Sequence, residues 1–357
     1  MRVLVVVANP HWTMETRLMA TLAAGLSERG EVVAVAVAHG SDTERQVERA
    51  WPRLSVRTVT GAGWMRQAMS LRATVAALRP DALLVGTVAD AVLAATSGSK
   101  TNAIVRRVHG QMPDDQHAEL PWRARFALTR ARVTLWGADQ LVVGWPEPAL
   151  VTATDEQVRR LPVATSEVVL VPGPTLDEDT LTALRTIAQV RSRHPDLRLL
   201  LVGNAPSLQA IRLHAAALDL AAAIHLVGPE AMLGHQLSHA RAAWITAAGD
   251  TGAVFALAAM QQGLPAIVPQ RAHYRDLVLP GATGVLASPD ALVPMAAELA
   301  RLLADDVLQQ HMSSAAAARA TRTFGWQAFV DDAAEHLAQA AGQRSARVTR
   351  RPSLTPG

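Results

Sequence analysis

The stretch GDTGAVFALAAM, from Gly249 to Met260, places an acid and two glycines just ahead of an apolar helical run. If Thr251, Gly252, Ala253 and Val254 form the first turn of that helix, their backbone amides attract a phosphate or a sugar oxygen. Asp250 beside them can bond a sugar hydroxyl, or it can simply be the N-cap of a strand-to-helix turn. Position 258, where a second acid would face the same pocket, is Ala258. A second candidate is His109, which closes AIVRRVHG. At the carboxyl end of a parallel strand it can bond a hydroxyl or a phosphate, although a capped loop histidine accounts for it too. Glu15 caps the first helix or contacts a ligand. His117, His235 and His239 have no ligand-like spacing with carboxylates, so no metal is expected.

These residues need a scaffold, and the bulk properties bound it. At 357 residues the chain is long for one core and comfortable for two domains. Half of it is hydrophobic, yet runs such as VLVVVA, LRLLLVG and WITAA stop far short of the ~20 residues of a membrane helix. Arg2 leads straight into VLVVVANP without a leader-like pattern, so a cytoplasmic protein is expected. Cysteine is absent, which excludes disulfides and thiol nucleophiles. The formal charge is +3, aromatics make up 4%, and Lys100 is the single lysine. The arginines are scattered along helices without aromatic interleaving, so no nucleic-acid partner is expected.

RVLVVVANP is a continuous β-branched run, the mark of a strand buried on both faces of a parallel sheet. Met14 to Arg29 is amphipathic, with Leu18, Leu22 and Leu26 in line, and Gly30 ends it before the strand VVAVAVA. The alternation continues through a helix at 64–78, the strand ALLVGT, a helix at 89–97, AIVRRVHG and a helix over 121–136. WPEP then breaks the period, ALVTAT reads as a short strand, and DEQVRRL as one or two helical turns. From EVVLVPGP a second series begins. It comprises helix 177–193, LRLLLVGN, helix 207–219, AIHLVG, helix 230–239, AAWITAA, helix 252–262, PAIVP, a turn region, helix 290–304 and further helices to about 341. Strand alternating with helix predicts an α/β protein of two Rossmann-like, doubly wound parallel-sheet domains facing a cleft. The domains are placed at 1–164 and 165–340, the last helices crossing back toward the first, with a disordered tail at 341–357.

The second series resembles the C-terminal domain of retaining GT-B glycosyltransferases of the nucleotide-sugar-dependent family four. HPDLRLLLVGNAPSLQAIRLHAAALDLAAAIHLVGP is similar to that family's helix end, glycine-bearing strand and loop (here Gly203), second helix and next strand. SHARAAWITAAGDTGAVFALAAMQQGLPAIV is similar to the segment entering its donor-binding loop and helix. HYRDLVLPGATGVLASPDALVPMAAELARLLAD and TRTFGWQAFVDDAAEHL are similar to its following turn, helix and closing helix. More loosely, HWTMETRLMATLAAGLSERGEVV resembles the acceptor-facing first loop, with His11 and Trp12 in place of a glycine pair.

The resemblance implies transfer of a sugar from a nucleotide sugar to a small-molecule, lipid or glycan hydroxyl, with retention of configuration and no cofactor or metal. His109 and Asp250 are then the catalytic-site candidates, and Gly203 and Thr251 to Val254 the donor-site ones. The family's second donor glutamate falls on Ala258, so Ala258→Glu is expected to tighten nucleotide binding. Its Arg/Lys loop falls on VPGPTLDEDTL, where Asp177, Glu178 and Asp179 stand and no lysine does. Arg271 or Arg275 is the replacement cation. Between DEQVRRL and position 180 one strand or part of the hinge is missing. A rival expectation is a catalytically silent GT-B protein, a binding or scaffold partner of an active transferase. Contact with a membrane surface and homo- or hetero-oligomerisation stay open.

Overall fold

The computed structural model describes residues 1–97, 103–108, 121–131, 133–137, 141–146, 166–173, 175–203, 208–228, 240–288 and 290–349. The chain divides into two compact units, Met1–Val142 with Gln327–Gly357, and Val143–Trp326.

The first unit alternates β1 (Arg2–Val7), α1 (Met14–Glu28), β2 (Val32–Ala38), α2 (Asp42–Ala50), β3 (Ser55–Val59), α3 (Trp64–Leu78), β4 (Ala82–Val85), α4 (Val88–Thr96), β5 (Ala103–Arg107), α5 (Trp122–Ala131) and β6 (Thr134–Trp136). Its sheet runs β3-β2-β1-β4-β5-β6, and every pair is parallel. Val3 to Val7 are all buried, as a central strand covered on both faces requires. Thr13 opens α1 with a capping box, and Ser41 and Thr87 cap α2 and α4 through their hydroxyls.

The second unit contains β7 (Ser166–Val171), α6 (Glu178–Arg191), β8 (Leu197–Val202), α7 (Gln209–Ala217), β9 (Ile224–Val227), β10 (Ala240–Ile245), α8 (Gly249–Gln261), β11 (Ala266–Pro269), α9 (Ala272–Leu277), β12 (Gly284–Ala287), α10 (Leu292–Ala304) and α11 (Asp306–Thr323). Its sheet is also wholly parallel, in the order β12-β11-β10-β7-β8-β9. On one face of it an apolar core joins Val168, Leu199 and Trp244 of the strands to Leu184, Leu299 and Met312 of the helices. After this unit α12 (Trp326–Thr349) returns to the first. Phe329 stacks on Trp136 with centroids 5.3 Å apart, the Trp136 indole donates to Asp332 at 2.7 Å, and Arg29 pairs with Asp331 at 2.7 Å.

Several elements differ from the sequence expectation. The helix expected over 121–136 is α5 followed by the three-residue edge strand β6, whose Trp136 is buried. α2, β3 and β12 come where no element was expected, since α2 buries only Thr43 and Val47 and so carries almost no apolar period. Helix continues to Thr349 through residues 341–349 of the expected tail, where Ala, Gln and Arg favour helix without an apolar face. The expected strand in ALVTAT, the turns in DEQVRRL and the helix at 230–239 lie outside the described residues, as does the link at 147–165.

Candidate functional site

In each sheet the chain leaves the central strand in one direction and returns on the other side, and ligands of such sheets sit in the crevice outside the carboxyl ends at that switch. In the second unit the switch lies between β7 and β10. Their ends are tied together, for the Thr246 and Ala247 amides donate to the Val171 carbonyl at 2.9 and 3.2 Å. Behind them the buried Thr180 and Thr246 hydroxyls hydrogen-bond at 2.8 Å. Asp177 caps α6 by accepting from the Thr180 amide at 2.9 Å, so it serves the helix terminus.

α8 begins at Gly249, earlier than expected, with Ala248 as an N-cap that offers no side-chain hydrogen bond. Gly249 has φ 61°, a left-handed conformation that glycine adopts readily. The amides of Gly249, Asp250 and Thr251 therefore occupy the first turn, where no intrahelical carbonyl is in reach. The Gly252 amide already donates to the Ala248 carbonyl at 3.4 Å, and Ala253 and Val254 are buried inside the helix. Of the four amides expected at the opening, Thr251 alone is in it. Asp250 is the second helical residue rather than the N-cap, and its side chain lies outside the described residues.

Gly252 has a packing reason to be glycine. A Cβ there would collide with the Tyr274 hydroxyl and the Ala247 carbonyl oxygen. Tyr274 is fully buried, donates to that same carbonyl, and is held well above the ordinary phenol range, first by burial. It fixes the turn that presents α8. Gly203, at the end of β8, has φ 147° and its absent side chain would press on Leu208; its amide donates to the Val227 carbonyl at 3.0 Å.

Arg271, named in the sequence as a replacement cation, is at the end of β11 and forms an ion pair with Asp179 of α6. Asp179 thus meets a cation across the switch, and the pair is charge-neutral. Ala258 is a buried core residue of α8, so a carboxylate placed there goes into the packed interior. That alters the outcome expected for Ala258→Glu from tighter nucleotide binding to loss of stability.

The first unit has its own switch between β1 and β4. Asp90, in the first turn of α4, is 4% exposed. It accepts from the Ala8 amide at 2.9 Å and the Thr87 hydroxyl at 2.8 Å, while its amide donates to the Thr87 hydroxyl at 2.9 Å. Burial outweighs these bonds and raises its pKa from 3.8 to about 6. Glu15 overlies the end of β4, its carboxylate 3.2 Å from where a Gly86 Cβ would be. Arg106 on β5 is buried, with Nε and Nη1 lacking hydrogen-bond partners. Burial lowers its pKa and the Glu15 charge raises it. Sequence reasoning missed Asp90 and Arg106. The Thr-x-x-Asp spacing after a strand, a capping signature, was the available signal for Asp90. His109 lies outside the described residues; β5 leads to it through Val108, whose amide donates to the Trp136 carbonyl at 2.9 Å. Among the described residues no three His, Asp or Glu side chains form a metal-binding group.

Two six-stranded parallel sheets of this order, flanked by helices, are the fold of GT-B glycosyltransferases. Residues 177–319 match the family model of glycosyl transferases group 1. The protein is thus a GT-B-fold chain whose second unit is similar, over residues 177–319, to the glycosyl transferases group 1 family. Its structure is similar to sucrose-phosphate synthase from Thermosynechococcus elongatus, with a TM-score of 0.75 and 14% identity over 96% of this chain and 100% of that one. It is similar to HepE from Anabaena in complex with UDP and glucose, with a TM-score of 0.71 and 16% identity over 95% and 100%. It is also similar to UDP-GlcNAc 2-epimerase from Neisseria meningitidis bound to UDP-GlcNAc, with a TM-score of 0.62 and 13% identity over 95% and 100%. Comparison with curated protein sequences gives no match.

Proposed function

We propose that the protein transfers a sugar from a nucleotide-sugar donor to an acceptor hydroxyl with retention of configuration. One observation carries this: the family match at 177–319 spans α6, the α8 opening, Arg271 and Tyr274, the parts that surround the second sheet's switch. Breaking a sugar–phosphate bond leaves charge on a diphosphate, and preorganised donors lower that barrier most effectively. The Gly249 to Thr251 amides supply such donors, held in place by the Tyr274 bond to the preceding carbonyl. Arg271 supplies the cation, so no metal is required. Relatives of the same fold bind UDP with glucose and UDP-GlcNAc, which favours a uridine diphosphate sugar as donor. His109 and Asp250 are proposed to contact that sugar, and the acceptor is a small molecule, lipid or glycan.

A second reading has specific support. Asp179 already engages Arg271, and Ala258 fills its position without an acid. Both fit a catalytically silent GT-B protein that partners an active transferase. Thermal shift with UDP, GDP, ADP and their sugar conjugates, followed by donor turnover with the ligand that binds, separates the two. A ligand at a hundredfold excess over its Kd stabilises by about 2.7 kcal/mol. Binding with turnover supports the transferase. A flat response to every nucleotide sugar refutes it and leaves the silent partner.

A further inference from the structure

Two stretches of the first unit, 51–80 and 121–137, hold nine arginines and no aspartate or glutamate, in a chain with 31 acids overall. They contain α3 and α5, neither of which has an acidic residue. α4 packs against both, so the three helices form one layer on one face of the sheet. Each of the outer two precedes a strand of a parallel sheet, so both begin at the sheet's carboxyl edge.

The same end carries apolar side chains on the outside. Trp64, Met65 and Met69 of α3 and Trp122 and Phe126 of α5 are each more than half exposed, from 54% for Trp64 to 70% for Trp122. Met65 with Met69, and Trp122 with Phe126, stand four residues apart and share a face. Exposed arginines Arg66 and Arg72 accompany the first group, and Arg125 and Arg130 the second. Five of the eleven large exposed hydrophobics among the described residues are on these two helices.

We propose that the outer face of α3 and α5 docks on an anionic lipid bilayer. Tryptophan, methionine and phenylalanine gain by entering the headgroup and acyl boundary, and arginines gain from anionic headgroups; neither signal alone holds a protein firmly. A second copy of this chain is disfavoured, because an acid-free arginine surface set against itself repels. A nucleic acid would satisfy the arginines but leave Met65 and Met69 without an apolar partner. Docking of this kind needs no spanning helix, and among the described residues none is long and apolar enough to span. The proposal is independent of glycosyl transfer, since vesicle binding requires neither donor nor acceptor.

The test is co-sedimentation of the full chain with vesicles of phosphatidylcholine alone and of phosphatidylcholine mixed with phosphatidylglycerol. Binding to the mixed vesicles that weakens with added salt is expected. The pair Arg66→Glu and Arg125→Glu should lower that partitioning about tenfold or more, and the pair Trp64→Ser and Trp122→Ser should lower it as well. Leu213→Ser with Val293→Ser, exposed in the second unit, should change nothing. All these sites are exposed, so unchanged circular dichroism is expected of every variant. The proposal is overturned by equal partitioning onto both vesicle types, by variants of α3 and α5 that bind as the parent does, or by binding to RNA or self-association without vesicle binding.

Discussion

Replacing Asp90 by Asn isolates the energetic consequence of burying a carboxylate at the first sheet's switch. The amide keeps an oxygen to accept from Ala8 and gains a donor that can point at the Thr87 hydroxyl, the two partners Asp90 has now. The charge alone is removed. Because burial lifts the folded-state pKa from 3.8 to about 6, the folded chain holds this proton more tightly than the unfolded one. Stability from this group is therefore fully present below about pH 4 and is lost as pH rises through about 6. Above that range the ionised side chain costs folding up to ~3 kcal/mol. Against this, Asn gives up a favourable charge in the first turn of α4, worth about 0.3–1 kcal/mol. Asp90→Asn should thus be close to neutral near pH 4 and more stable than the parent by about 2 kcal/mol at pH 7.5. Urea denaturation of both proteins at several pH values reads the difference directly, and it should appear in the transition of the first unit. A difference that stays flat with pH, or a parent that is the more stable at pH 7.5, would refute the assignment of Asp90 as a carboxylate destabilised by desolvation.

Gly252→Ala forces a methyl group onto the Tyr274 hydroxyl and the Ala247 carbonyl, and should cost about 3 kcal/mol or more; calorimetry should show Tm falling by ~6–12 °C, whereas an unchanged Tm means the turn before α8 yields freely. Asp179→Asn releases Arg271 from its ion pair and should tighten nucleoside diphosphate binding up to about tenfold, in a manner that salt weakens and Arg271→Ala abolishes. Identical titrations for parent and Asp179→Asn would remove Arg271 from the donor site. Ala258→Glu puts a carboxylate in the core of α8 and should lower Tm by several degrees without strengthening any nucleotide titration; a stable variant with tighter binding would show that the position opens onto the donor.

Both sheets are visible in the sequence where burial on two faces produces continuous apolar runs, as in VLVVVA of β1 and LRLLLV of β8. They fade at the edges. SVRTV of β3 buries only Val59, and DTERQVERA of α2 looks like solvent-exposed chain because its contact with the core is one valine and one threonine. The site shows the same division. The small-residue opening of α8 is local and therefore legible, although its start was misplaced because glycine at 249 lets the turn close on Ala248 rather than Asp250. The partners of that opening are not local. Arg271 and Asp179 are 92 residues apart, Thr180 and Thr246 are 66 apart, and no spacing rule links them. A composition of acids at 177–179 suggests repulsion of phosphate, whereas in three dimensions one acid caps a helix and another is matched by an arginine.

Tyr274 is the sole tyrosine of the chain, and it is buried beneath the turn that leads into α8. A free phenol loses its proton near pH 10, about where its absorbance shifts to the red. In the folded unit that shift is deferred, since burial holds the proton on. None of the tryptophans ionises in this range, so the tyrosinate band is a signal from one atom at one place. Its growth with time at alkaline pH follows the opening of the second unit at the point where the donor is proposed to sit. A ligand seated against α8 would slow that growth, which turns the chain's scarcity of tyrosine into a label-free optical gauge of site occupancy.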